Sequence, residues 1–251
     1  MIRLYRKFCN LLIIILILLC IFLFDSFIED SAINKSIDEF KSRGVLVYEE
    51  NNYSYYKISK KYDYEDCSNI IDTYTDINIG TIGDIYISNR DPLGGFFITE
   101  WISRISWIGH AGIIYSEDGS KTLEIVGNKS KEENVVKVYD NTWMKIDSEE
   151  YLILRVKGIS NKEKEEIINV SNNLMGSRYN YLFLFSSNKR FYCTDLISNI
   201  YNNLDINLNK DYLFTTGSDI ASNDNTYIIY YRERYIKNNK VCYNIYYLDE
   251  D

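Results

Sequence analysis

The sequence predicts an α+β domain that follows an N-terminal membrane segment. Three observations lead to this prediction. They are an apolar run from Phe8 to Phe24, a strand–turn–strand pattern over 110–126, and two amphipathic helical patterns, after Ser160 and from Cys193. The 24 tyrosines agree with a strand-rich body, because aromatic side chains suit pleated surfaces. The residues after the apolar run suffice for one globular domain with a substantial core, and not for two.

Composition excludes several classes of protein. A content of 46% hydrophobic residues with a single proline is not that of a disordered or collagen-like chain. The formal net charge of -8 argues against a nucleic-acid partner, because phosphate binding needs clustered Lys and Arg. One histidine and no Cys-x-x-Cys pair argue against a zinc site. We therefore expect no metal and no cofactor.

The apolar run Phe8 to Phe24 has Asn10 as its only polar residue. A spanning helix needs roughly 17 to 25 residues, whereas the core of a signal peptide has about 7 to 15 and ends at a small-residue cleavage site. The sequence lacks that site, which favours an uncleaved single-pass anchor over a secreted, cleaved form. Basic residues precede the run and acidic ones follow it, so the positive-inside rule places the body outside the cytoplasm.

Three cysteines remain for the body: Cys67, Cys193 and Cys242. An odd number outside the cytoplasm leaves at least one free thiol. A disulfide between Cys67 and Cys242 suits an oxidising compartment, but spacing does not establish it, and it stays open here.

The strand–turn–strand pattern has two possible registers. A two-residue turn at Asp118-Gly119 puts His110 and Glu124 on opposite faces. A three-residue loop, 117–119, puts Gly119 at the left-handed position and Glu124 opposite Gly112. His110 and Glu124 are then diagonal neighbours on one face, about 7 to 8 Å apart between backbones. Any chemistry that joins these two side chains requires the longer loop.

Two helices are predicted further along the chain. Ser160 and Glu163 form a capping box, and Gly176 supplies the stop. The second helix begins near Cys193 and has an apolar face with spacings of four, three and four, made by Cys193, Ile197, Ile200 and Leu204. Cys193 is therefore expected at a helix start, facing the core or a cleft.

A cysteine at a helix start with an imidazolium partner is a pattern typical of thiol nucleophiles. His110 is the only histidine that can serve as the base, and Glu124 is the candidate for its orienting carboxylate. The backbone N–H of Cys193 is the expected first oxyanion donor. Either Tyr179 or Tyr192 could supply a second.

Six blocks of the sequence, in this order, resemble the permuted branch of the NlpC-type papain-like superfamily, the YiiX/YebB-like cysteine hydrolases. They are 83–85, 110–114, 123–124, 176–183, 191–197 and 215–220. The resemblance implies a small antiparallel sheet or barrel packed against helices, with the histidine before the cysteine. It also implies that His110, Glu124 and Cys193 are the catalytic residues.

The expected organisation is a membrane anchor or signal peptide in 1–24, a stalk or lead-in in 25–78, and a permuted papain-like hydrolase domain in 79–251. The expected function is that of a membrane-anchored, extracytoplasmic cysteine amidase or peptidase that works through an acyl-enzyme. By resemblance its substrates are cell-wall peptides. The alternatives are a lipid-directed thiol acyltransferase or esterase with the same site, and a non-enzymatic ligand-binding module. The sequence predicts no oligomeric state.

Overall fold

The computed structural model describes residues 2–66, 79–89, 107, 109–127, 132–143, 150–181, 189–209 and 214–249. Its helices are α1 Ile2–Ser42, α2 Asn161–Leu174, α3 Cys193–Asn202 and α4 Gly217–Ala221. Its strands are β1 Gly44–Glu50, β2 Tyr53–Ser59, β3 Ile85–Ser88, β4 His110–Ile114, β5 Lys121–Glu124, β6 Lys137–Asp140, β7 Tyr151–Val156, β8 Arg178–Tyr179, β9 Arg190–Phe191, β10 Thr226–Lys237 and β11 Lys240–Asp249. The α+β class predicted from the sequence is confirmed.

The described strands form a large sheet of nine, in the order β1-β2-β11-β10-β7-β3-β4-β5-β6. The expectation of a small antiparallel sheet is wrong in two respects. The sheet is large because β1 and β2, from the predicted lead-in, extend it beyond the C-terminal hairpin. It is mixed because β2 pairs in parallel with β11. A second sheet holds only the short parallel pair β8 and β9.

The N-terminal segment differs from the predicted anchor and stalk. Helix α1 runs without a break to Ser42, and its last turns bury Ile33, Ile37 and Phe40 in the core. The spacing of four and three puts these three side chains on one helical face. No helix in the described residues is long and apolar enough to cross a membrane, so the spanning helix expected in 1–24 is not found there. Residues 67–78 of the predicted stalk lie outside the described part of the chain.

The predicted helix signals are confirmed. Ser160 and Glu163 form the capping box of α2, and Gly176 beyond its end has a φ of +77°. Helix α3 begins at Cys193, as its apolar periodicity predicted. Of the thiols, Cys242 is free and buried in β11, whereas Cys67 lies outside the described residues.

Asp84, just before β3, accepts a hydrogen bond from the backbone N–H of Thr81 at 2.8 Å. It also forms a buried two-pronged ion pair that the sequence did not predict: Arg155 Nε and Nη2 donate to its two oxygens at 2.8 and 2.7 Å. Burial alone lowers the pKa of Arg155, but the charge and hydrogen bonds of Asp84 raise it above its ordinary value. The pair ties the start of β3 to β7.

Candidate active site

The hairpin of β4 and β5 has the register of the three-residue loop. Ile113 pairs with Leu123 and Ile114 with Thr122. Gly119 has a φ of +68°, in the left-handed region that this loop requires. The predicted register is therefore confirmed, and His110 and Glu124 lie on the same face.

His110 and Glu124 are in direct contact. The ring nitrogen Nε2 lies 2.8 Å from Glu124 Oε2. Gly112, on β4 between them, makes room for this contact, since a Cβ there would lie 2.9 Å from Glu124 Cγ. In the register of the three-residue loop, Gly112 lies opposite Glu124, but no role for Gly112 was predicted. A glycine directly opposite the candidate carboxylate was the feature of the sequence that could have indicated this close contact.

The second oxygen of Glu124 accepts two further hydrogen bonds. Thr122 Oγ1 donates to Oε1 at 2.6 Å, and Trp143 Nε1 donates to the same atom at 2.8 Å. Burial by itself raises the pKa of Glu124, but the bonds from His110, Thr122 and Trp143 bring that pKa below its ordinary value. Glu124 is therefore an ionised acceptor at neutral pH. Sequence reasoning missed Trp143, which has no local pattern linking it to Glu124.

Cys193 is the first residue of α3, and Tyr192 is its N-cap residue. The Cys193 thiol is close enough to the His110 ring to raise the pKa of that ring. Because Nε2 faces Glu124, the nitrogen left for Cys193 is Nδ1. The ring thus lies between a thiol on one side and a carboxylate on the other, as a nucleophile, base and orienter arrangement requires.

The position of His110 between these partners controls its charge. Burial acts to lower the pKa of His110, but the hydrogen bonds and charges of Cys193 and Glu124 outweigh it and raise the pKa to about 10. The ring is therefore an imidazolium at neutral pH. Because this pKa exceeds the usual value of about 6.5, the interaction stabilises the fold fully below about pH 6.5. That stabilisation is lost as the pH rises through about 10.

The charge state of His110 can be measured directly, because a chain with one histidine gives one set of imidazole NMR signals. We expect the His110 signals to titrate with a midpoint near 10. Glu124→Gln removes a charged partner, and the midpoint should then fall by about 1 to 2 units. Glu165→Gln, on the exposed side of α2, is the matched control and should leave the midpoint unchanged. A wild-type midpoint near that of a free histidine would contradict the ion pair.

The two candidate tyrosines have different surroundings. The Tyr179 ring lies against the backbone of Gly127, where a Cβ would be 2.6 Å from its Cζ. Burial, and then the nearby Cys193, raise the pKa of Tyr179, so it stays a neutral phenol. Burial also raises the pKa of Tyr192, but its hydroxyl is hydrogen-bonded with Thr215. Cys193 helps to raise the pKa of both phenols, and the bond with Thr215 is what distinguishes Tyr192 from Tyr179.

Two further features concern the surroundings of the site, the aromatic residues of 96–107 and the side chains that could bind a metal. Trp107, one of the aromatic residues of 96–107, is buried, whereas Phe96, Phe97 and Trp101 lie outside the described residues. Within the described part of the chain, no group of three or more His, Cys, Asp or Glu side chains could hold a metal ion.

Comparison with known proteins gives a family match. The model of the family described as "permuted papain-like amidase enzyme, YaeF/YiiX, C92 family" matches residues 79–244, which include all five candidate site residues. The chain is also similar to the crystal structure of metalloprotein YiiX from Escherichia coli O157:H7. Identity is 14%, the TM-score is 0.48, and the match covers 59% of this chain and 96% of that one. No curated protein matches.

Proposed function

Because the chain belongs to the permuted papain-like amidase family, YaeF/YiiX, C92, we propose that it is a cysteine hydrolase that cleaves amide bonds through an acyl-enzyme. One observation carries the proposal: the His110 ring contacts Glu124 at 2.8 Å, and Cys193 is near enough to raise the pKa of the same ring. The position of Cys193 at the start of α3 supports it, because a helix N-terminus favours a negative charge there. The raised pKa of His110 supports a resting ion pair of thiolate and imidazolium.

The proposed reaction has two halves. The Cys193 thiolate attacks the amide carbonyl, and the backbone N–H of Cys193 donates to the oxyanion. The His110 imidazolium then gives its proton to the departing amine, which leaves a thioester on Cys193. In the second half, the neutral His110 takes a proton from water as the water attacks the thioester. The acid product leaves and the ion pair forms again, while Glu124 keeps the ring oriented.

We assign the second oxyanion donor to Tyr179, a neutral phenol whose pKa Cys193 helps to raise. Tyr179→Phe should lower kcat by about 10²-fold, as the loss of one oxyanion donor does in other acyl-transfer enzymes. Tyr192→Phe is the matched comparison and should have a much smaller effect, because its hydroxyl bonds with Thr215. Equal losses in the two variants would contradict the assignment.

The proposal includes attachment to a membrane, with the body outside the cytoplasm. Along α1, apolar side chains between Leu11 and Ile28 are 49 to 68% exposed. Four of them, 11–14, are consecutive, and successive helical residues point about 100° apart. Exposed apolar groups therefore surround the helix, an arrangement that suits lipid better than a single protein partner. The basic residues before this segment support the orientation.

The proposed substrates are cell-wall peptides, on the basis of the family and the proposed location. A second candidate, a lipid ester or amide, is favoured by one contact. Thr216 Oγ1, at the N-cap of α4, lies 3.4 Å from Glu29 Oε2 of α1. The adjacent Thr215 carbonyl accepts a bond from Thr194, the residue after Cys193, at 2.6 Å. These two contacts link the end of the apolar segment to the residue after Cys193, which favours a scissile bond near the lipid headgroups.

The test is incubation of the protein with purified muropeptides and, separately, with phospholipid vesicles, with Cys193→Ala as control. We expect cleavage of muropeptide amides and an acyl adduct on Cys193 by mass spectrometry. Cleavage of lipid alone would establish the second candidate instead. The proposed function fails if neither substrate is cleaved and Cys193 reacts with iodoacetamide no faster than a free cysteine.

A further inference from the structure

We propose that Trp143 is a positioning residue that holds both the Glu124 carboxylate and the His110 ring in their working orientation. The inference rests on the proposed function, since it concerns the same His110, Glu124 and Cys193 group. Among the described residues, the hydrogen bonds and ring contacts of Trp143 go to Asn141, Glu124, Tyr86 and His110, and none goes to Cys193. Its contribution is therefore made through Glu124 and His110.

Trp143 makes two separate contacts with this group. Its indole Nε1–H donates to Glu124 Oε1 at 2.8 Å. Its ring stacks on the His110 ring, with 5.4 Å between centroids and 10° between planes. The side chain is only 4% exposed, so the hydrogen bond and the stacked face are both shielded from water. One indole therefore contacts both members of the His110–Glu124 pair.

The chemistry of the indole fixes the direction of the hydrogen bond. An indole N–H is a donor only, and Thr122 Oγ1 donates to the same Oε1 atom at 2.6 Å. With both donors on Oε1, Oε2 is the oxygen that faces His110. Removal of one donor frees the carboxylate to rotate. A rotated carboxylate lengthens the 2.8 Å bond to His110 and loosens the ring.

The stacked face acts on the charge of the ring. A cation above the face of an indole is attracted by its quadrupole, most strongly when water is excluded. Parallel stacking therefore favours the imidazolium over the neutral ring. It also restricts rotation of His110 out of the plane in which Nε2 meets Glu124 and the other nitrogen meets Cys193.

The position of Trp143 is itself fixed by the hairpin loop. Asn141 Oδ1 accepts from the Trp143 backbone N–H at 3.1 Å, and Asn141 Nδ2 donates to the Gly119 carbonyl at 2.7 Å. Gly119 is the left-handed residue of the loop that sets the register of β4 and β5. Tyr86, whose hydroxyl also accepts from Asn141, packs its ring 5.2 Å from that of Trp143. The loop that aligns His110 with Glu124 thus also holds the indole against them.

The test compares Trp143→Phe, which keeps a ring face and loses the donor, with Trp107→Phe, which replaces a buried indole that packs on Tyr231. The readout is the NMR titration of His110. The groups that act on its charge are Cys193 at the start of α3 and Glu124 on β5. Glu124 keeps its charge in Trp143→Phe. A shift of the His110 midpoint in that variant therefore reports a change in the geometry of the His110–Glu124 bond. We expect the Trp143→Phe midpoint to fall by about one unit, a tenfold change in the protonation equilibrium.

A second readout is the alkylation of Cys193 by iodoacetamide at neutral pH, which we expect to slow by about tenfold in Trp143→Phe, as with outer-shell partners elsewhere. The Trp107→Phe variant should match the wild type in both measurements. A Trp143→Phe midpoint equal to or above that of the wild type overturns the proposal. If wild-type His110 titrates near 6.5 and the Cys193 thiol of the wild type reacts slowly, the proposed function fails instead.

A measurement on the unaltered protein covers the case in which Trp143→Phe does not fold. The Trp143 indole N–H signal, assigned by its response to Glu124→Gln, should move with the same midpoint as His110. An indole signal that does not change across the titration of His110 also overturns the proposal. Thr122→Val, which removes the other donor to Oε1, gives a matched change on the same atom.

Discussion

Replacement of Cys193 by alanine is expected to lower amide hydrolysis by about 10⁴-fold or more, and His110→Gln by a similar factor. The thiolate supplies the attacking electron pair, and the imidazolium supplies the proton for the leaving amine. Since the two act as one unit, the Cys193→Ala/His110→Gln double variant should lose no more than either single variant. Single-turnover rates, measured on a muropeptide that the wild type cleaves, compare the two single variants with the double variant.

The matched control is Cys242→Ala, which removes another thiol from the body. Cys242 is buried in β11, away from the His110 and Glu124 contacts, so hydrolysis should stay near the wild-type rate. Thermal unfolding of each variant separates loss of chemistry from loss of fold. Multiplicative losses in the double variant would show that Cys193 and His110 act independently, which is contrary to the proposed ion pair.

Arg155→Met is expected to lower the free energy of unfolding by about 3 to 5 kcal/mol. Its guanidinium makes two hydrogen bonds to Asp84, and both side chains are buried. The variant leaves a buried carboxylate without its counter-charge, at a point where β3 meets β7. Urea unfolding measures the change. The candidate catalytic side chains lie at other positions. A folded Arg155→Met variant should therefore still be alkylated by iodoacetamide at Cys193.

The double variant Arg155→Met/Asp84→Leu separates the cost of an unpaired charge from the worth of the pair. Removal of both charges should recover a large part of the loss, because apolar replacements of buried pairs are often tolerated. Lys121→Met is the matched control: it breaks an exposed pair with Asp140 and should leave unfolding almost unchanged. If Arg155→Met has an equally small effect, the ion pair does not brace the sheet.

Some features of the site could be predicted from the sequence because they depend on local geometry. The left-handed Gly119 and the length of its loop fix the register of β4 and β5, and hence the shared face of His110 and Glu124. A four, three and four spacing of apolar residues is enough to start α3 at Cys193. Each depends on residues within one turn or one helix.

The other features could not be predicted, because they join residues that are distant in the sequence and that no local pattern of turns or apolar spacing relates. The parallel pairing of β2 with β11 brings together segments almost 200 residues apart, and it made the sheet large and mixed. The choice of Tyr179 over Tyr192 depended on which hydroxyl meets Thr215.

The sequence by itself determined the cysteine at a helix start and the single histidine, and it limited the hairpin of β4 and β5 to two registers. Turn length and helical periodicity act over a few residues, and the chain carries them in its local order. Only the tertiary structure decided how the Glu124 carboxylate is held, and that Trp143 lies against it. A hydrogen bond and a stacked ring form where strands and loops converge, and those distances depend on the packing of the whole domain.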